Sequence, residues 1–269
     1  MDSHLIRLRP RSDTLYISHN HTVLMTSGDG FIADAASHGL FADETRTLSR
    51  YRYLLNGQEP RTVALSAIEQ HSSLGYYICG APDIIHNSDA PAQHSIELRL
   101  SRSVGSGVHE DIDVTNFTQK FAPIRLELCA DADFADFQEI GGERRQKGRL
   151  LRAWNGPNTP ELIFDYTAEH HYDNQEGKGV ARLHRSCAVR FVNSTSPPAY
   201  KNERIVFEFG LPPHKSWHSC VHLIPVIDGR RLEAPAKCYS FATPAGFEES
   251  HDAFAAESLS FKASPFEGP

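Results

Sequence analysis

The stretch "CADADFADFQEI" (129–140) sets three carboxylates, Asp131, Asp133 and Asp136, within six positions. Carboxylates so close together can do two kinds of chemistry. A glycosidase flanks a sugar bond with an acid and a base or nucleophile, and hard cations take clustered carboxylate oxygens. Asp131 and Asp133 are two residues apart, which in an extended strand separates their Cα atoms by about 6–7 Å. That overlaps the range of a glycosidase pair, so spacing alone does not exclude catalysis. Hydrolytic carboxylates, however, face the sugar from two elements rather than side by side on one. A calcium loop needs D-x-[DN]-x-[DN]-G and a distant Glu, whereas here Ala135 and Asp136 follow and no glycine comes before Gly141. The pattern therefore favours a structural or interface role over ligand contact, catalysis or metal binding.

A second group is "HSCVH" (218–222). His218, Cys220 and His222 would share one strand face, and all three are zinc-capable types. Residues i, i+2 and i+4 of a strand span about 13 Å, so only neighbours reach one ion. Cross-strand residues would have to complete a site, and the sequence names none. No metal and no cofactor is assigned. The remaining histidines, including "HNH" (19–21) and His170-His171, lack HExxH spacing. No GxGxxG, GxxxxGK[ST] or G-x-S-x-G pattern occurs. Trp154, Tyr172, Trp217, Tyr51 and Tyr53 could stack on sugar rings, but core packing is the favoured reading for each. Trp217 is in phase with Val221 and Leu223, which places it in the core. Trp154 precedes a turn and, with Tyr172, is the better carbohydrate-contact candidate.

The elements that must position these groups are strands. "SIELRLSRSV" (95–104) alternates Ile96, Leu98 and Leu100 with Glu97, Arg99 and Ser101. "IRLELCADADF" (124–134) sets Ile124, Leu126, Leu128, Ala130, Ala132 and Phe134 on one face, and Arg125, Glu127, Cys129, Asp131 and Asp133 on the other. "RIVFEFGL" (204–211) and "SWHSCVHLIPVI" (216–227) read likewise, as half-buried antiparallel strands do. Turn signals separate the runs: "NG" at 56–57, "VGSG" at 104–107, "NGPNTP" at 155–160, "STSPP" at 194–198, "LPPHK" at 211–215 and "DG" at 228–229. Roughly a dozen short strands imply a β-sandwich or barrel, and two packed sheets, because twisted open sheets seldom exceed about ten strands. The best helical candidate is "GFEESHDAFAAESLSF" (246–261).

The 269 residues carry a net charge of −7, with 40% hydrophobic and 23% charged residues. That balance suits a globular protein and argues against nucleic acid, whose phosphates need a basic footprint. No apolar stretch approaches the roughly 20 residues of a membrane span. Five cysteines at wide spacing, without CxxC, point to reduced thiols and a cytoplasmic location.

Two stretches resemble a known family. "GLFADETRTLSRYRYLLNGQEP" (39–60) looks like its signature GLF-x-x-D-T-R-x-L-S followed by a strand and NG. "DIDVTNFTQKFAPIRLELCADADFADFQEIGG" (111–142) looks like its second, in which an N(F/Y) turn leads into DADFADIFEVRG. "LIFDYTAEHH" and "LPPHKSWHSCVHLIPVIDG" fit later strands. The chain thus resembles, over about residues 12 to 230, the N-terminal domain of bacterial glycogen-debranching-type enzymes, the amylo-α-1,6-glucosidase-like proteins. The resemblance implies an antiparallel β-supersandwich that packs on a helical (α/α)-barrel glycosidase domain. The barrel carries the catalytic carboxylates and is absent from this chain, so no catalytic residue is transferred. The implied ligand is α-glucan or maltooligosaccharide. Glu44 stands where the family usually has Asp, and a longer carboxylate there would alter an Arg46 ion pair or a turn hydrogen bond.

The expected layout is an N-terminal tail (1–11), a β-supersandwich domain (12–245) and a C-terminal tail or linker start (246–269). The expected role is a noncatalytic accessory domain, with Glu44, Arg46, Asp131, Asp133 and Asp136 at an interdomain or substrate-cleft contact. The alternatives are a self-contained sugar-active enzyme of mutarotase or epimerase type, which needs a His and a carboxylate converging on one sugar, and a free-standing carbohydrate-binding module.

Overall fold

The computed structural model describes residues 14–33, 37–80, 95–140, 148–156, 158–174, 177–236 and 238, without the side chains of residues 80, 170 and 172–174. The chain divides into two compact units, Met1–Cys238 and Tyr239–Pro269, and the described residues belong to the first. The tails at 1–11 and 246–269, the 246–261 helix candidate and the Tyr172 side chain lie outside the described residues.

The described residues form eighteen strands: β1 (Thr14–His19), β2 (Thr22–Ser27), β3 (Gly39–Ala42), β4 (Thr45–Leu48), β5 (Arg50–Leu55), β6 (Arg61–Glu69), β7 (Ser72–Gly80), β8 (Ser95–Val104) and β9 (Val108–Asn116) in the first half. They continue as β10 (Ala122–Asp131), β11 (Ala135–Asp136), β12 (Arg149–Asn155), β13 (Glu161–Asn174), β14 (Gly177–Val192), β15 (Ala199–Lys201), β16 (Arg204–Leu211), β17 (Ser216–Ile227) and β18 (Arg230–Arg231). All pairings are antiparallel. The largest sheet runs β12-β13-β14-β17-β9-β8-β7-β6, with β18 on β17. Two smaller sheets run β1-β2-β3-β4-β11 and β15-β16-β10-β5. These two share the same chain segments. The β10–β5 ladder closes at Asp131 and Arg50, and the β11–β4 ladder opens at Ala135 and Arg46. The Ser49 amide donates to the Asp131 carbonyl at 2.9 Å across the seam. The small sheets thus make one layer facing the large sheet, an all-β sandwich of the kind the period-two pattern predicts.

Alternation explains which side chains meet. In β8, Ile96, Leu98 and Leu100 are buried while Glu97, Arg99 and Ser101 are partly exposed. In β10, Ile124, Leu126 and Leu128 are buried. Each such aliphatic side chain contributes about 1.5–3 kcal/mol relative to exposure. Rings cross the interlayer space: Phe207 of β16 meets Phe191 of β14 at 5.4 Å and Trp217 of β17 at 4.8 Å, and Phe209 stacks on Trp217 at 4.4 Å. Trp217 is therefore core, and its indole Nε1 donates to Ser196 Oγ.

The turn signals fall where strands reverse. Asn56-Gly57 and Asp228-Gly229 have positive φ at both residues, the type I′ geometry whose twist suits a two-residue hairpin. Two further turns with positive φ at both positions are Asp43-Glu44 and Asn202-Glu203.

One expectation needs correction. The alternation in 124–134 continues to Phe134, but the strand ends at Asp131. Phe134 has φ +50°, buries its ring and stacks it on Tyr166 at 5.4 Å. The apolar phase survives because a turn, not a strand, returns the Phe134 ring to the core.

Candidate functional site

The two signature stretches meet along the β5–β10 and β4–β11 ladders, and an ion pair joins their side chains. Arg46 of β4 donates from Nε to Asp133 Oδ1 at 3.2 Å and from Nη2 to Asp133 Oδ2 at 2.5 Å, a two-pronged contact between strand and turn. Its Nη1 also donates to the His38 carbonyl at 3.3 Å. Gly39 makes room for this side chain, since a Cβ there would come within 2.6 Å of Arg46 Cδ. Glu44 takes no part in the pair. It is exposed, sits at φ +66° in the β3–β4 turn, and its carbonyl accepts the Phe137 amide at 2.8 Å. Of the two alternatives for Glu44, the Arg46 ion pair does not include it, and its place is in the turn, at a left-handed φ that Glu adopts less readily than Asp or Asn.

The other aspartates also have local partners. Asp131 Oδ1 accepts the Ala132 amide at 2.8 Å and Arg152 Nη2 at 2.6 Å. Asp136 caps a single 3-10 turn at Phe137–Glu139: its Oδ1 accepts the Gln138 amide, and the Glu139 carboxylate accepts the Asp136 amide. Asp131 and Asp133 are partly exposed and face away from buried Ala132 and Phe134. Asn116 of the second signature is fully buried. Its Nδ2 donates to the Lys120 and Leu211 carbonyls and its Oδ1 accepts the Thr118 amide, which fixes the turn between β9 and β10.

Of the aromatic candidates, Tyr51 and Tyr53 are buried, and Trp154 is half-buried with its ring stacked on Tyr200 at 5.7 Å. An open groove of about 570 Å³ lies away from the predicted residues, beside β12–β14, where Arg149, Glu169, Arg182 and His184 line it.

Two polar clusters remain, one with no counterpart in the sequence reading and one that completes the His218, Cys220 and His222 group. Inside the sandwich, Tyr51 and Tyr53 of β5 donate to Glu110 Oε1 at 2.6 and 2.5 Å, and Arg102 Nε donates to Glu110 Oε2 at 2.5 Å. Arg102 Nη1 also donates to the Gly30 carbonyl. Burial, reinforced by the Glu110 carboxylate, raises both tyrosine hydroxyls well above their ordinary pKa. The sequence signal was parity: Arg102 and Glu110 stand in phase with Ile96–Leu100 and with Ile112 and Val114, and pair directly across β8 and β9.

On the opposite face of the large sheet, β9 and β17 set His218 opposite Asp113, Cys220 opposite Asp111 and His222 opposite His109. His218 Nδ1 lies 2.8 Å from Asp113 Oδ1, and His218 Nε2 lies 3.2 Å from Cys220 Sγ and 3.3 Å from Cys238 Sγ. Cys220 Sγ lies 3.3 Å from Asp111 Oδ1. His222 turns instead to His109 Nδ1 at 3.1 Å. The sequence had set the two histidines and Cys220 on one face. It could not place Asp111, which depends on register, or Cys238, which depends on the path of the chain after β18.

Among curated proteins no sequence matches. Several solved structures align with the chain, among them two that cover most of it. A galactose mutarotase-like protein from Clostridium acetobutylicum is 8% identical with a TM-score of 0.41, over 80% of this chain and 95% of that one. A kojibiose phosphorylase candidate from the human microbiome is 12% identical with a TM-score of 0.40, over 81% of this chain and 25% of that one. The family that describes the N-terminal domain of some glycogen debranching enzymes matches residues 17–222. That span takes in both signature stretches and their Arg46–Asp133 junction, and the chain belongs to that family.

Proposed function

We propose that the chain is a noncatalytic β-sandwich module of a glycogen-debranching-type, amylo-α-1,6-glucosidase-like protein. It packs on a helical (α/α)-barrel glycosidase domain and contributes to α-glucan binding. The observation that carries this reading is the family match over 17–222. The aspartates that could have served as acid and base support it: each is engaged in a turn or an ion pair. The proposed docking surface is the seam between the small sheets, where Glu44, Asp131, Asp136 and Arg152 reach solvent and Phe137, whose amide donates to the Glu44 carbonyl, is 64% exposed. The wide spacing of the five cysteines, without a CxxC pair, supports a reducing, cytoplasmic setting. Among the described residues no helix is long and apolar enough to cross a membrane.

The test is to assay the purified chain for maltooligosaccharide hydrolysis and glycogen retention, alone and mixed with the helical glycosidase domain encoded in frame or alongside. The expected result is no hydrolysis alone and a complex with the helical domain that Phe137→Asp weakens. Hydrolysis by the isolated chain, abolished by Asp131→Asn or Asp133→Asn, overturns the reading. Tight glycogen retention without any partner replaces it with a free-standing binding module.

A further inference from the structure

We propose that Asp111, His218, Cys220 and Cys238 form a tetrahedral zinc site that fastens the segment after β18 to the large sheet. One ligand atom from each residue lies within 4.8 Å of all the others. Zinc bonds of roughly 2.0–2.3 Å at tetrahedral angles require ligand–ligand separations of about 3.3–3.8 Å. Four of the six separations are 3.2 Å (His218 Nε2 to Cys220 Sγ), 3.3 Å (His218 Nε2 to Cys238 Sγ), 3.3 Å (Cys220 Sγ to Asp111 Oδ1) and 3.9 Å (His218 Nε2 to Asp111 Oδ1), and Cys238 Sγ lies within 4.8 Å of Cys220 Sγ and Asp111 Oδ1. Two thiols, an imidazole and a carboxylate are a zinc donor set, since soft thiolates disfavour magnesium and calcium.

The surroundings are also those of a metal site. His218 Nδ1 meets Asp113 Oδ1 at 2.8 Å, the carboxylate–histidine contact that leaves Nε2 to coordinate. Asp113 in turn accepts Arg99 Nη2 at 2.9 Å, and Asp111 Oδ1 lies 3.1 Å from His109 Nε2. Asp111 and Cys220 are fully buried, while His218 and Cys238 are partly exposed, so the cation has a way in. Binding displaces one proton from each thiol, leaving two thiolates and a carboxylate around one dication.

The covering segment arrives by a defined path. The Gly107 amide donates to the Glu233 carbonyl and the Leu232 amide to the Pro225 carbonyl, both at 2.8 Å. His109 Nδ1 lies 2.9 Å from the Pro235 carbonyl. A Cβ at Gly107 would come within 2.4 Å of the Leu232 carbonyl oxygen, so the segment runs directly over that turn. Cys238 is the last described residue on this path, and its thiol is the fourth ligand.

The test uses the full chain, purified under reducing conditions without a metal-affinity tag. Elemental analysis should find about one zinc per folded chain. Cobalt exchanged for zinc should give the visible ligand-field bands and near-ultraviolet sulfur-to-metal band of a tetrahedral thiolate site. Cys238→Ser should lower metal content about tenfold or more while circular dichroism stays unchanged, and should raise hydrogen exchange at 232–236. Cys129→Ser, whose thiol lies elsewhere, should keep the full complement. Asp113→Asn should weaken zinc about 10–100-fold in competition with a chromophoric chelator. A folded parent chain without stoichiometric zinc overturns the proposal. So does a Cys220–Cys238 disulfide in the freshly purified protein, or full zinc retention by Cys238→Ser.

Discussion

Replacing Glu110 by Gln should destabilise the domain more than any surface change, and the structure sets the size of the effect. Glu110 accepts hydrogen bonds from Tyr51, Tyr53 and Arg102, and the side-chain exposures of Arg102 and Glu110 are 3% and 1%. Glutamine keeps the shape and one acceptor oxygen, but it removes the charge and can turn an amide donor toward the Arg102 Nε donor. A guanidinium then stays buried without a counter-charge. Breaking such a pair from one side costs about 3–5 kcal/mol. Domains are stable by about 5–15 kcal/mol, so about a fifth or more of the total is at stake. Arg102→Met should cost a similar amount, because it strands the carboxylate. The double change Arg102→Met with Glu110→Leu should cost at least about 2 kcal/mol less than the sum of its parts, since no lone charge remains. Urea unfolding followed by tryptophan fluorescence and circular dichroism measures all three. A Glu110→Gln loss under about 1 kcal/mol, or strict additivity, would refute the view that the pair is a desolvated charge pair at the heart of the sandwich.

Two further outcomes follow from local geometry. Glu44 holds φ +66° in a type I′ turn, so Glu44→Gly should relieve a left-handed penalty of about 1–2 kcal/mol, offset partly by about 0.5–1 kcal/mol of added chain entropy. The melting temperature should rise, a fall would sink the strain argument, and Glu203→Gly at φ +59° is an internal replicate. Burial pushes the Cys79 and Cys187 thiols from 9.0 up to about 12. The unfolded chain then loses these protons first, so stability is intact below pH 9 and falls between pH 9 and 12, by about 1.4 kcal/mol per pH unit for each thiol. Cys79→Ala with Cys187→Ala should flatten that alkaline slope in urea midpoints, and an unchanged slope would show that other groups set it.

Much of the sandwich was legible because its physics is local. Alternation in 95–104, 124–131 and 216–227 and the NG and DG turns mark strands and reversals without any long-range information. What escaped was long-range. Arg46 finds Asp133 only because β4 and β10–β11 lie side by side, and no spacing rule joins residues so far apart in the chain. Phe134 looked like strand continuation because its side chain keeps the core phase, although the backbone has turned. Asp111 and Cys220 became neighbours through register, which a strand-by-strand reading does not supply. The clearest missed signal was local: Arg102 and Glu110 each interrupt an apolar phase, and a charge in core phase calls for a buried partner of opposite sign.

The signature residues have a shared consequence for function. Gly39, Arg46, Asn116 and Asp133 spend their chemistry inside the domain, on a close approach, a two-pronged ion pair and a turn. These four residues of the signature serve to seam two sheets. Under the proposed docking, the residues that would meet another domain are those at the seam whose bonds are weakly held. The Asp131–Arg152 pair is about one-third exposed at each end, 35% and 33%, and such pairs contribute only about 0–1 kcal/mol. Exchanging it for a partner's charges costs little. Giving up the Arg46–Asp133 pair, at 12% and 27% exposure, would unseat the turn that presents Phe137. Under the proposed docking, the buried half of the seam holds the surface in shape, while Asp131, Arg152 and Phe137 select what it meets.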